Sequence, residues 1–202
     1  KPVTVKQIKK SKKKKYPLAP FITSTLQQDA SNKLGFSTKK TMMVAQKLYE
    51  GINVKGRGSI GLITYMRTDS TRISSEIQGE ARTLIENLFG SDYVPKALNT
   101  YKNKGKSQDA HEAVRPTVME LLPHDIKESL TNDQYRLYKL IFDRFIASQM
   151  APAQLSNVNV ELETGGQIFK AMGSVVTFKG FMAVYDVSAG KKNGEEDVVN
   201  SY

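Results

Sequence analysis

The hydrophobic period changes twice along this chain, and that constrains its fold more than any other feature. Near the N-terminus Val3, Val5 and Ile8 alternate loosely, as in a strand. Between about residues 24 and 148 the apolar residues recur at helical spacing. After Pro152 the period returns to two: Val158, Val160 and Leu162 alternate, Gly165-Gly166 turns the chain into Ile168–Ala171, and Val175–Tyr185 supplies a third strand-like stretch. A chain that leaves a sheet, builds a helical domain and returns to the sheet is the simplest reading. The expected fold is therefore mainly α with a smaller β part (α+β). A helical domain over 17–150 is inserted between strands from 1–16 and 151–202, and the polar end from Ser188 onward is expected to fray.

Capping signals set the expected helix boundaries. Ser24 and Gln27 form a capping box, and Gly35 suits the left-handed position that closes the helix. Ser37 or Thr38 caps a second helix carrying Met42, Ala45, Leu48 and Tyr49, which Gly51 ends. Ser75 and Gln78 open a third, with Ile77, Ala81, Leu84, Ile85 and Leu88 at helical spacing and Gly90 as its stop. Thr131 and Gln134 open the strongest helix, with Tyr138, Ile141, Phe142 and Phe145 on its apolar face. Between these, the glycine-rich basic stretch 52–59 reads as a surface loop, Ile60–Arg67 as a strand, 99–107 as a polar loop, and Gln108–Val114 as two helical turns ended by Pro116.

The charge is as unevenly placed as the hydrophobicity. The 202 residues carry a formal net charge of +10, and residues 1–15 alone hold eight lysines and no acid. An excess of this size favours an anionic partner, nucleic acid ahead of an acidic membrane surface. The run Lys9–Lys15 reads as a solvated loop, equally suited to pinning phosphates or to keeping the chain in solution. With no cysteine, disulfides, thiolate metal sites and a Cys nucleophile are excluded. No stretch approaches the ~18 apolar residues of a membrane-spanning helix. A chain that opens on Lys-Pro-Val-Thr rather than Met reads as a piece of a longer protein.

Two clusters can do chemistry. In Thr64-Tyr-Met-Arg-Thr-Asp-Ser70, Tyr65 and Arg67 fall on one side of an extended chain. A tyrosine hydroxyl can attack a phosphodiester, and an arginine beside it can stabilise charge on the phosphate oxygens. A free phenol keeps its proton to about pH 10, so such a site needs a group to take it. The bland reading is a packed tyrosine with a surface arginine. In the second cluster, Gln108–Pro116, His111 and Arg115 are four apart and would share a helix face as two donors for a phosphate. Zinc lacks its usual ligands, since His124 is the only other histidine. The two capped helices around Gly35 also suggest a helix-turn-helix, a pattern common in all-α cores.

Four blocks, in order, settle between these readings. Pro20-Phe-Ile-Thr-Ser-Thr-Leu-Gln-Gln28, Lys39-Lys-Thr-Met-Met-Val-Ala-Gln-Lys-Leu-Tyr-Glu50, Gly61-Leu-Ile-Thr-Tyr-Met-Arg-Thr-Asp-Ser-Thr71 and Ser107-Gln-Asp-Ala-His-Glu-Ala-Val-Arg-Pro116 closely resemble the bacterial type IA DNA topoisomerases. The resemblance implies that Tyr65 is the nucleophile forming a 5′-phosphotyrosyl bond. It implies that Arg67 stabilises the scissile phosphate and that His111 contacts it or relays a proton. Gln46, Tyr49 and Glu50 would line the single strand near the site, and Arg115 would either contact DNA or hold the His111 segment in place. The stretch 52–59 lengthens the connection between Glu50 and the tyrosine segment relative to such proteins.

The same resemblance implies a cytoplasmic, nucleoid-associated enzyme that relaxes negatively supercoiled DNA without ATP. It implies magnesium bound by a Toprim domain, and no Asp-x-Asp pair of that kind occurs here. The chain is thus expected to be a central fragment, inactive alone. It would hold the tyrosine-bearing helical domain and part of the arch (gate) strands, with the remaining domains of the enzyme and single-stranded DNA segments as partners. The rivals are a non-catalytic helix-turn-helix-like DNA-binding module and a tyrosine recombinase, whose His-x-x-Arg spacing is missing.

Overall fold

A computed structural model describes residues 2–102 and 111–185. Its architecture is α+β, as the double change of period predicts. Strand β1 (Thr4–Lys15) leads into α1 (Thr23–Asp29), α2 (Thr38–Glu50), the short strands β2 (Ile52–Val54) and β3 (Gly58–Ile60), α3 (Ser75–Phe89) and α4 (Asn132–Ser148), before β4 (Ala153–Thr164) and β5 (Gln167–Phe178). The N-terminal strand pairs with the returning chain in an antiparallel sheet of order β1-β4-β5.

The core lies in the helical block. Helix α4 buries Leu137, Tyr138, Ile141, Phe142 and Phe145 along one side. Its start is the expected reciprocal cap, with the Gln134 amide N–H donating to the Thr131 hydroxyl at 3.2 Å and the Thr131 N–H donating to Gln134 Oε1 at 2.9 Å. The Tyr138 hydroxyl donates to the Leu121 carbonyl at 2.7 Å, which satisfies the one polar atom that ring carries inward. Packed against it are Leu26, Phe36, Val44, Leu48, Met66 and Ile85 from the other segments.

Several expectations are corrected. The lysine run is not a loop: β1 continues through it, with Lys9 to Lys15 in unbroken register against Asn159 to Ala153. The returning strand supplies backbone partners throughout, and long lysine stems sit easily on an exposed edge. Residues 52–59 fold as a hairpin, Ile52 opposite Ile60 and Val54 opposite Gly58. The strand expected over Ile60–Arg67 belongs to a ladder only to Ile60; beyond it the chain stays extended with a single bridge, Ile63 to Pro116.

Helix α1 starts at Thr23 rather than after a Ser24 cap. Thr25 closes on the Ile22 backbone, while the Thr23 hydroxyl is engaged elsewhere. It runs on through a wider turn, Ala30–Leu34, to Gly35, which takes the predicted left-handed conformation at φ 69°. Helix α3 is capped by Ser74, one residue before the expected Ser75.

Residues 111–116 are extended instead of helical, because their amides look outward for partners. Ala113 N–H donates to the Arg72 carbonyl (3.0 Å) and Val114 N–H to Phe21 (2.8 Å). Gln108–Ala110 and Ser188–Tyr202 lie outside the described residues. The two C-terminal strand pieces are one strand, β5, after which the chain turns at Gly180 into a short 3-10 segment, Gly180–Ala183. Among the described residues no helix is long and apolar enough to cross a membrane.

Candidate active site

From Tyr65 onward the extended segment alternates strictly. Tyr65, Arg67 and Asp69 are exposed, whereas Met66, Thr68 and Ser70 are buried. The period-two reading thus holds here without a sheet, although Leu62 and Ile63 are both buried just before it. Two threonine hydroxyls take over the work of the missing ladder. Thr23 Oγ1 donates to the Met66 carbonyl at 2.7 Å and accepts the Thr68 N–H at 2.9 Å, while the Thr23 N–H donates to the Thr68 carbonyl at 2.9 Å. Thr64 Oγ1 donates to the Ala113 carbonyl at 2.7 Å and accepts the Arg115 N–H at 3.0 Å. The Thr64 N–H closes the pair on the Arg115 carbonyl at 2.9 Å. One threonine clips the chain before Tyr65 to the 111–116 segment, and the other clips it after Tyr65 to the start of α1.

These clips bring the sequence candidates together. Tyr49, Tyr65, Arg67 and His111 line one cleft with Thr64 and Glu112, and Arg67 and His111 continue into an adjoining hollow with Thr23 and Asp69. Tyr65 is 46% exposed, and its ring lies 5.3 Å from the Tyr49 ring at a 58° tilt, within the range of a favourable aromatic pair. Neither Arg67 nor His111 has an ion-pair or hydrogen-bond partner among the described residues. Their cationic or donor groups therefore remain available to an anion in the cleft.

The proximity of α2 depends on a glycine. A Cβ at Gly61 would lie 2.6 Å from the Tyr49 carbonyl oxygen, and the Leu62 N–H donates to the neighbouring Leu48 carbonyl at 2.8 Å. Only a residue without a side chain lets the tyrosine segment pass so close to the end of α2.

Three other candidates sit apart from the cleft lining. Gln46 and Glu50 engage each other one turn apart on α2, Nε2 to Oε1 at 2.7 Å. Arg115 does not share a helix face with His111. It is 8% exposed, paired to Glu112 at 2.7 Å and bonded to the Pro116 carbonyl at 3.0 Å. These contacts tie it to the chain on either side of it. Sequence reasoning passed over Thr23, Thr64 and Gly61 as site residues, since their contribution is backbone geometry that spacing alone does not reveal. The described residues hold no group of three or more His, Asp or Glu side chains disposed to bind a metal.

A family model described as DNA topoisomerase matches residues 1–201. The structure of full-length topoisomerase I from Thermotoga maritima is similar at 44% identity with a TM-score of 0.80. That match covers 96% of this chain and 31% of the Thermotoga chain, so this chain spans less than a third of its relative's length. With the family model matching residues 1–201 and a relative at 44% identity over 96% of this chain, the chain belongs to the bacterial type IA DNA topoisomerase family.

Proposed function

We propose that this chain is the tyrosine-bearing part of a DNA topoisomerase that relaxes negatively supercoiled DNA through a transient single-strand break. In this reading residues 17–150 carry the reactive tyrosine, and residues 1–16 and 151–202 contribute strands to the arch that opens. The observation that carries it is the convergence of Tyr65, Arg67 and His111 on one cleft, with the tyrosine half-exposed and the two donors unpartnered.

The Tyr65 oxygen attacks a backbone phosphorus; a bond from that oxygen to phosphorus forms as the bond to the 3′ oxygen breaks. The 3′ hydroxyl leaves with a proton, and the 5′ phosphate stays on the tyrosine. Arg67 neutralises charge building on the phosphate oxygens, and His111 donates to the same group or carries a proton. Tyr49, packed on Tyr65, offers a ring against which a base of the single strand stacks, with Gln46 and Glu50 farther along α2. Return attack by the 3′ hydroxyl reseals the strand, so no ATP is consumed. Among the described residues no group of three or more His, Asp or Glu side chains is disposed to hold magnesium. Magnesium belongs to a Toprim domain outside this chain, in an enzyme acting on cytoplasmic, nucleoid DNA.

The test is Tyr65→Phe in the parent enzyme, read as covalent protein–DNA adduct on denaturing gels. Complete loss of an adduct blocked at the 5′ end is expected. Persistence of the adduct, or blockage at the 3′ end, overturns the assignment. The purified 202-residue chain is expected not to relax plasmid DNA, and robust relaxation by it would show that the remaining domains are dispensable.

A further inference from the structure

Both halves of the tyrosine cleft are tied to one short stretch, Ala19–Thr23, between the end of β1 and the first turn of α1. The Phe21 carbonyl accepts the Val114 N–H at 2.8 Å and so holds the segment that begins at His111. Thr23 holds the Met66 carbonyl and the Thr68 N–H, on either side of Arg67. A shift of Ala19–Thr23 therefore moves Arg67 and His111 together. The stretch is poorly equipped to fix itself. It leaves β1 through Pro17 and Pro20, neither of which has an N–H to donate.

A single buried side chain from α4 supplies the missing anchor. Arg144 Nε donates to the Ala19 carbonyl at 2.7 Å, and the guanidinium lies 4.6 Å from the centre of the Phe21 ring. Its Nη1 donates to Asp29 Oδ2 and to the Tyr185 oxygen, each at 3.2 Å. Asp29 is the last residue of α1, so one cation grips that helix at its far end and the chain just before its start. Tyr185 donates to Asp29 in turn. Burial, and then the bond to Asp29, push the Tyr185 phenol above its ordinary range, which keeps it a donor. The guanidinium stands on a helix that carries its own hydrogen bonds, a rigid base for an irregular stretch.

We infer that Arg144 is a positioning residue for the tyrosine cleft, fixing Ala19–Thr23 and α1 so that Arg67 and His111 stand in place around Tyr65. It touches none of the reacting groups, being buried and outside the cleft lining. Ala19 follows β1 and Tyr185 follows β5, so both connections to the sheet are fastened to the same cation. Lysine cannot take its place. A lone ammonium has no planar fork with which to bond Ala19 and Asp29 at once while lying flat on Phe21. The inference rests on the proposed role of Tyr65 and adds to it a residue outside the cleft.

The experiment uses the parent enzyme with Arg144→Lys, Tyr185→Phe and, as a control in the same helix, Tyr138→Phe, which loses its bond to the Leu121 carbonyl. Two quantities are read: the rate of covalent adduct formation at saturating single-stranded DNA, and hydrogen exchange in peptides covering 66–70 and 111–116 without DNA. Arg144→Lys is expected to slow adduct formation by about 10-fold or more at unchanged DNA affinity, because misplaced groups around a reacting atom act on rate. Both peptides are expected to exchange faster. Tyr185→Phe should act in the same direction to a smaller extent, and it decides the matter alone if Arg144→Lys does not fold. Tyr138→Phe is expected to lower the melting temperature and leave the rate and both peptides as in the parent. Parent-like rate or exchange in either test variant would overturn the proposal. So would slowing shared by Tyr138→Phe, or a loss of affinity that matches the loss of rate. Hydrogen exchange needs no nucleophile, so it shows whether Arg144 holds the two segments even if Tyr65→Phe were to leave the adduct intact.

Discussion

At the scale of single residues, the site is held by side chains that do no chemistry. Tyr65 and Arg67 stand out through the resemblance of the segment that carries them; their types and spacing alone fit a packed tyrosine with a surface arginine equally well. Thr23 and Thr64 do not stand out, because a hydroxyl that replaces a sheet ladder leaves no periodic trace. Thr23 shows the cost directly. Its hydroxyl serves both the Met66 carbonyl and the Thr68 N–H, on either side of Arg67. Thr23→Val keeps the shape and strands both backbone groups, at about 1–3 kcal/mol for each buried unpaired group. In the parent enzyme the variant is expected to slow DNA cleavage at saturating DNA by about 10-fold or more, with little change in DNA affinity. Thr23→Ser should restore the rate. A matching loss of affinity, or a failure of serine to rescue, would mark Thr23 as a general stability residue.

At the scale of elements, capping residues and apolar spacing located the helices well, while the extended pieces were misjudged. The reason is physical: a helix carries its own hydrogen bonds, whereas an extended segment depends on partners far away in sequence. Hence the lysine strand and the 111–116 segment, both defined by distant neighbours, were read as loop and helix. Within α4, Asp143 offers a separate test. Burial pushes its carboxyl above the ordinary carboxylate range, and the Lys139 ammonium 2.6 Å away pulls it back only in part. A raised folded value means that the stabilising contribution belongs to the protonated acid. It is present in acid and lost as pH rises from about 4, where an ordinary aspartate ionises, through the folded value. Asp143→Asn is therefore expected to match the parent in urea midpoint at acidic pH and to exceed it near neutrality. A variant less stable at neutral pH would show that the ion pair outweighs the burial.

At the scale of the molecule, the sheet and the helical block meet around a few buried groups. Arg144 donates through Nε to the Ala19 carbonyl at 2.7 Å and through Nη1 to Asp29 at 3.2 Å, and it stacks on Phe21 and Tyr185. The Tyr185 hydroxyl completes the group by donating to Asp29. Thus α4, α1, the exit from β1 and the end of the described chain share one buried cation. Beside it, Gly180 at φ +49° packs against Ala151 and Pro152, whose carbonyl oxygens lie 2.5 and 2.6 Å from where a Cβ would stand. Gly180→Ala is expected to cost about 1–3 kcal/mol from the backbone conformation alone. Hydrogen exchange should then quicken in β4 and β5 more than in α4. Uniform loss of protection would mean that sheet and helices unfold as one unit.

The β2–β3 hairpin bears on how such a chain can change length over time. Its two ends, Ile52 and Ile60, face each other, so residues added at the tip push outward and leave Glu50 and Gly61 as neighbours. The extra stretch therefore does not separate the rings of Tyr49 and Tyr65. From Tyr65 onward the opposite holds. With every second side chain from Tyr65 to Ser70 buried, one inserted or deleted residue between Thr64 and Tyr65 would turn the phenol inward and Met66 outward. Insertions and deletions should be tolerated at the hairpin tip and purged from the segment after it.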